Sequence, residues 1–298
     1  MFNRKQLFRR VAIVGVGFMG ASLGLAIKKK ELAREVVGIG HHETSLREAM
    51  DIKAIDESFL DFKKGVNGAD LIVLATPVQT IIDTLEFLSK EHQRGCIITD
   101  LGSTKAVIVD KAEGLLHHSM LFVGSHPLIG SEKKGPTCAN AALYENAVCV
   151  MTPTDKTNRL AKEKIKHFWS QLGAQVQLMT PQEHDEAFGF ISHLPHLMAF
   201  GLIKSIPDQF LEFATQGLRD TTRIAASDAL MWRDIALSNH KNVLKSLDEA
   251  VKVLSSIRKA VITSDGPALE EIFKTAKAKR ERMDAAVGLP AGSSLKKV

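Results

Sequence analysis

Cysteine is scarce in this chain, and Cys96, Cys138 and Cys149 are odd in number, widely spaced and never arranged as C-x-x-C. That pattern gives neither a disulfide framework nor a zinc signature, so a reducing, cytoplasmic setting is expected. Long apolar runs are missing too. No stretch reaches the roughly 18 residues a membrane helix needs. The basic start, Met1 to Arg10, leads straight into a strand-like run without the apolar core of a secretion signal. The chain is expected to be neither exported nor membrane-spanning. Charge of one sign is not concentrated either. The net charge of +5 is spread along 298 residues, apart from Lys277, Lys279, Arg280, Arg282, Lys296 and Lys297 near the C-terminus. This reads as a solvated helix end and tail, not a nucleic-acid-binding stripe, while anionic small substrates stay compatible with it. At 45% hydrophobic and 24% charged residues, the rest is ordinary globular composition, long enough for two domains.

The most informative stretch is Val11-Ala-Ile-Val-Gly15-Val-Gly17-Phe18-Met19-Gly20, continuing as Ala21 to Lys28 with helical character. It reads as strand, tight turn and helix. Gly15 permits the turn, Gly17 lets backbone approach a pyrophosphate, and Gly20 lets helix and strand pack closely, so a dinucleotide is the expected ligand. The second strand, Glu35 to Ile39, ends in Gly40-His41-His42 with Arg47 beyond, where an NAD site normally places an acid for the ribose 2′-hydroxyl. With no acid well placed to repel a 2′-phosphate, the expected cofactor is NADP or NAD, with NADP slightly favoured. His41 is the candidate contact, although the two histidines also fit a plain solvated loop.

Further strands alternate with helices: Ala69 to Ala75 closing on Thr76-Pro77, Cys96 to Asp100, Leu121 to Ser125, Asn146 to Met151 and Ala174 to Met179. This alternation predicts an α/β, doubly wound Rossmann-type domain over residues 1–180. In such sheets ligands bind beyond the carboxyl ends of the strands. Ala75, Thr76 and Pro77 therefore fall at the cofactor edge, and Ser103 and His126 fall where chemistry takes place. From Pro181 the strand pattern stops, and an all-α domain is expected over 181–298, with helices over 182–206, 209–218, 229–262 and 267–283. Leu244, Leu247, Val251, Leu254 and Val261 form an apolar stripe that must be buried, either in the domain's own core or, as favoured here, in a homodimer.

Reactive and ionic groups gather in His126-Pro-Leu-Ile-Gly-Ser-Glu132, in Ser192-His193-Leu-Pro-His196, and in Arg219-Asp-Thr-Thr-Arg223 followed by Met231-Trp232-Arg233-Asp234. With these motifs, the glycine turn, Asp100-x-Gly-Ser103-x-Lys105 and Met179-Thr-Pro-x-x-His184-Asp185, the chain resembles the prephenate dehydrogenases over roughly residues 10–285. That family includes arogenate and cyclohexadienyl dehydrogenases of tyrosine biosynthesis.

The resemblance implies oxidative decarboxylation of a small dianion, prephenate or arogenate. His126 is then the base and Ser103 the group that orients the hydroxyl or the base. Arg223 and His196 hold the side-chain carboxylate, and Glu132 organises the pocket. His193 joins the substrate-binding set, and the reaction is expected in a cleft between the sheet and helical domains. Each residue also has a plainer reading. His126 before Pro127 suits a strand-end histidine satisfied by a carbonyl. His193 and His196 resemble half a metal site but lack a third ligand at suitable spacing, so no metal is expected. Arg219, Asp220, Asp228, Arg233 and Asp234 suggest an ion-pair network, and Trp232 core or dimer packing. With no regulatory module expected after residue 285 and no chorismate mutase helices before residue 10, the chain is expected to be monofunctional. Two rival readings are a hydroxyacid or imine reductase, which the S-H-L-P-H segment argues against, and a non-catalytic NAD(P) sensor.

Overall fold

Near-continuous apolar runs make strands that are buried on both faces, and such strands belong at the centre of a parallel sheet. The structure, a computed structural model, describes residues 6–90, 95–117, 120–129 and 133–286. Strands β1 (Phe8–Val14), β2 (Ala33–Ile39), β3 (Glu57–Phe59), β4 (Leu71–Leu74), β5 (Cys96–Asp100) and β6 (Met120–Val123) form an all-parallel sheet in the order β3-β2-β1-β4-β5-β6. Alternate residues of β1 serve opposite faces. Val11 and Ile13 pack with α1 (Phe18–Lys29) and α6 (Arg159–Gln171), while Ala12 and Val14 pack with α4 (Val78–Leu88) and α5 (Ala106–Leu115). Between β2 and β4 lie α2 (Glu43–Asp51) and α3 (Phe62–Val66).

Register decides what shares an edge. Val14 lies opposite both Ile39 and Leu74, and Leu74 opposite Asp100. Gly15, Gly40, Ala75 and Leu101 therefore leave the sheet along one line, and the order reverses between β1 and β4, where dinucleotides bind in such sheets.

The expected strand over 121–125 is split. After Gly124 the chain leaves the large sheet and Ser125–Pro127 becomes β7 of a second sheet, antiparallel to β8 (Val148–Met151), which pairs in parallel with β9 (Gln175–Leu178). His126 thus sits on a small separate sheet beside the main edge.

Helices follow from Pro181. Instead of one helix over 182–206 there are α7 (Pro181–Phe188), a wide π turn over Gly189–His193 and α8 (Leu194–Ser205). Pro195 has no N–H for the α-helical ladder, which accounts for the widened turn. The expected helix over 209–218 is a 3-10 turn, Asp208–Phe213, and then α9 (Gln216–Thr222). The long helix over 229–262 divides at Asn239 into α10 (Ala229–Ser238) and α11 (His240–Ile262), because the Asn239 side chain is drawn to groups on other elements.

Packing divides the chain into two units, Met1–Val243 and Leu244–Val298. Helices α7 to α10 therefore belong to the same unit as the sheets. The second unit holds α11 from Leu244 and α12 (Gly266–Ala286). There Leu244, Val251, Leu254 and Val261 are all about half exposed or more, whereas Leu247 is half-buried. No described helix is long and apolar enough to cross a membrane.

Candidate active site

The turn after β1 is shaped by steric limits. Gly15 has a φ of +95°, and a β-carbon there would lie 2.6 Å from the Ala75 carbonyl oxygen, while one on Gly20 would lie 1.9 Å from the Gly15 carbonyl oxygen. Neither position accepts a side chain. Gly17 differs, because a β-carbon there meets nothing within 4 Å. Open space thus faces the start of α1, where Gly17 is the N-cap and no side chain caps the helix. Unpaired N–H groups at the positive end of a helix suit a phosphate. Beside the same turn Thr76 presents a buried hydroxyl with no hydrogen-bond partner among the described residues. An open cradle, an uncapped helix and an orphaned hydroxyl fit a dinucleotide. Phe18 is buried and Met19 half-buried, the Met19 carbonyl accepting from Tyr144 Oη at 2.8 Å. Ala75 and Thr76 are half-buried, Pro77 is the N-cap of α4, and His41 is exposed just past β2.

The second cluster is built around the start of α5. Lys105 is fully buried, and its ammonium pairs with the buried Asp100 and donates to the Ser125 carbonyl at 2.9 Å. Asp100 in turn accepts from the N–H groups of Gly102 and Ser125. The loop carrying Ser103 is thereby tied to β7, which carries His126. Asp185 of α7 reaches the same helix, accepting from the N–H groups of Lys105 at 2.7 Å and Ala106 at 2.9 Å. It caps α5 from another element.

His184, beside Asp185 and fully buried, bridges to His126. Its Nδ1 lies 2.8 Å from Asp185 Oδ1 and its Nε2 lies 2.8 Å from His126 Nδ1. Burial, then the neighbouring His184, Lys105 and His193, push the His126 pKa well below the usual imidazole value. Burial also lowers His184, against the opposing pull of Asp185. His126 is therefore neutral near pH 7 and has a lone pair to offer.

The helices supply the rest. Asn239 Nδ2 donates to the Asp185 carbonyl at 2.7 Å and lies 3.1 Å from His193 Nδ1, so its second hydrogen faces that nitrogen. The His193 proton then belongs on Nε2, which is buried, and the nearby Ser103 backbone favours that proton. Burial drops the His193 pKa to about 4. Trp232 has a buried indole N–H with no hydrogen-bond partner among the described residues, and its ring stacks on His196 at 3.7 Å between centroids. His196 Nδ1 lies 2.9 Å from the Ser192 carbonyl, and the Arg223 charge is close enough to help burial lower the His196 pKa. Arg223 is exposed at the start of a 3-10 turn.

The sequence reading thus named His126, Ser103, His193, His196 and Arg223 but gave no role to His184, Asp185, Asp100, Lys105 or Asn239. Motifs containing the first four were visible, but their purpose depends on contacts across as many as 80 residues. Trp232 belongs to this cluster, although packing alone was expected of it. Among the described residues no ion pair joins Asp228, Arg233 and Asp234 to Arg219 and Asp220. Asp228 caps α10 and pairs with Lys134, and Arg233 pairs with its neighbour Asp234. Glu132 lies outside the described residues.

Comparison with known proteins shows the family. The family model for the prephenate dehydrogenase nucleotide-binding domain matches residues 23–178, and that for the prephenate dehydrogenase dimerization domain matches residues 180–275. The chain belongs to the prephenate dehydrogenase family. It is 36% identical to a prephenate dehydrogenase of Bacillus subtilis, over 93% of this chain and 76% of that protein. Among solved structures, the prephenate dehydrogenase of A. aeolicus in complex with hydroxyphenyl propionate and NAD+ is 35% identical, with a TM-score of 0.86 over 93% of this chain and 98% of the other. Arogenate dehydrogenase from Synechocystis is 28% identical, with a TM-score of 0.76 over 92% and 99%. Membership makes the chain an NAD(P)-dependent oxidoreductase.

The open space at Gly17 gives a direct test of the nucleotide cradle. Gly17→Ala is expected to leave the melting temperature close to wild type while weakening NAD(P) binding by about tenfold or more, as measured by calorimetry, since its methyl would stand in the open space where the dinucleotide is expected. Unchanged affinity would move the cofactor elsewhere.

Proposed function

We propose that this chain oxidatively decarboxylates prephenate to 4-hydroxyphenylpyruvate in tyrosine biosynthesis, with His126 as the base. The observation that carries this reading is His126 hydrogen-bonded to the buried His184, itself paired with Asp185, in a first unit that also holds His196 and Arg223. Gly15, Gly17, Phe18, Met19, Gly20, Ala75, Thr76, Pro77 and His41 would hold the dinucleotide. Bound oxidised nicotinamide supplies the hydride acceptor.

The residues of the chain answer the remaining demands. As hydride leaves ring C4, His126 takes the proton of the C4 hydroxyl, for which a neutral imidazole is suited near pH 7. The ring carboxylate departs as CO2, its bonding electrons completing the aromatic ring, and the proton returns to the product oxygen. Ser103 orients the hydroxyl. The side-chain carboxylate is held by the planar fork of Arg223 and by His196, with Trp232 fixing the plane of His196. His193 offers a buried N–H to the substrate, and Glu132 organises the pocket. Arogenate presents the same side-chain carboxylate to Arg223, which makes arogenate dehydrogenation the second reading, in keeping with the Synechocystis relative.

We assign residues 1–180 to the nucleotide and residues 181–298 to substrate groups and to a homodimer contact. Around the ribose, an exposed His41 and His42 stand where an acid would repel a 2′-phosphate, and this favours NADP.

Purified enzyme given prephenate and NADP is expected to form reduced nicotinamide and 4-hydroxyphenylpyruvate, with kcat/KM higher for NADP than for NAD. His126→Asn should lower kcat by about 10²-fold or more, whereas Arg223→Ala should act mainly on KM. Absence of turnover with both prephenate and arogenate would remove the assignment.

The exposed stripe of α11 yields a separate expectation for the assembly. Val251→Glu with Leu254→Glu should convert a dimer to monomer in analytical ultracentrifugation, because charges replace apolar surface that a second copy covers. A dimer that persists would place the contact on another face.

A further inference from the structure

The base assigned above has two ring nitrogens, and catalysis needs one of them bare. Which one is set by the hydrogen bond that the other makes. Asp185 accepts backbone N–H groups on both carboxylate oxygens, so toward His184 it acts as an acceptor and His184 carries its proton on Nδ1. The opposite nitrogen of His184, Nε2, is then the lone pair facing His126 at 2.8 Å. A doubly protonated His184 is disfavoured by full burial of the ring, which also lies stacked on Phe188 at 4.4 Å. His126 must therefore give its own proton from Nδ1, leaving Nε2 unprotonated.

We propose that His184 and Asp185 form a relay anchored on the N-terminus of α5, which fixes the His126 proton on Nδ1 and presents Nε2 as the catalytic lone pair. This rests on the reading of His126 as the base. His184 and Asp185 act through His126, so both are positioning residues. The groups facing the relay are Asp100 of β5, Lys105 at the head of α5, His126 of β7 and His193 of the π turn.

Only one bond changes at His126 in the forward step. The hydroxyl O–H breaks, a new N–H forms at Nε2, and the imidazolium keeps its Nδ1–H on His184. Its charge then faces the lone pair of His184, whose other nitrogen is bonded to the Asp185 carboxylate, and that carboxylate is what favours the charged form as it appears. When the proton returns to the product, the original tautomer is restored.

Two variants separate this role from simple packing. His184→Leu removes the acceptor, and kcat should fall by about 10²-fold or more while NADP affinity stays unchanged. His184→Gln restores an acceptor oxygen at the position of Nε2 and should recover at least about tenfold of that loss. Nitrogen-15 NMR of the histidine rings, with His126 assigned through His126→Asn, should show His126 protonated on Nδ1 in the wild type and in His184→Gln.

A folded His184→Leu with wild-type kcat overturns the relay, as does a wild-type His126 protonated on Nε2. Should His184→Leu fail to fold, the wild-type tautomer decides alone. Should the wild type turn over neither substrate, the functional reading falls, and the NMR tautomer still tests the relay independently.

Discussion

One turn of backbone, the head of α5, holds the chemistry in place. Its buried lysine is paired with Asp100 at the end of β5 and bonded to the Ser125 carbonyl of β7, while its free N–H groups are taken by Asp185 of α7. Three elements distant in sequence, carrying Ser103, His126 and His184, are thereby fixed to one point. Thr104 adds a fourth tie, its hydroxyl 3.0 Å from that of Ser238 at the end of α10. Without this knot, a serine loop, a short strand and a helix would have no reason to share a site.

Such an arrangement is not bought for stability alone. Taking a lysine and an aspartate out of water costs several kcal/mol each, and an apolar pair of similar volume is often as stable. What the ion pair adds is direction, because Asp100 also accepts the Ser125 and Gly102 N–H groups and so sets the angle at which β7 leaves the large sheet. The Ser125 hydroxyl strengthens that junction through Thr99 and Trp169. His126, one residue on, inherits a fixed position next to a buried cation. Its neutral state follows from that surrounding, and a neutral imidazole is what proton removal requires.

The fold was largely legible in the sequence, since near-continuous apolar strands and a glycine turn leave few alternatives. Local punctuation was harder to read. Pro195 inside an apolar helical pattern signalled a disturbance but not a π turn, and Asn239 gave no sign that its side chain would leave the helix axis for Asp185 and His193. The switch of Ser125–Pro127 to a second sheet depended on Lys105 and Asp100, whose pairing crosses a loop. Named site residues were polar groups just past strand ends or in dense motifs. Their supports, His184 and Asp185, sit inside an ordinary helix start with a capping box, and only tertiary packing gives them meaning. The apolar stripe of α11 was recognised by its spacing, yet whether it faced inward or outward was a property of the folded chain.

The central claim is that His126, held by the knot at α5, and the Arg223 and His196 side chains serve a single small anion. A crystal structure of the enzyme with oxidised cofactor and 4-hydroxyphenylpyruvate tests it most directly. The account predicts the phenolic oxygen at hydrogen-bond distance from His126 Nε2 and the carboxylate on Arg223 and His196. A product bound with its carboxylate toward His126, or away from both groups, would contradict it.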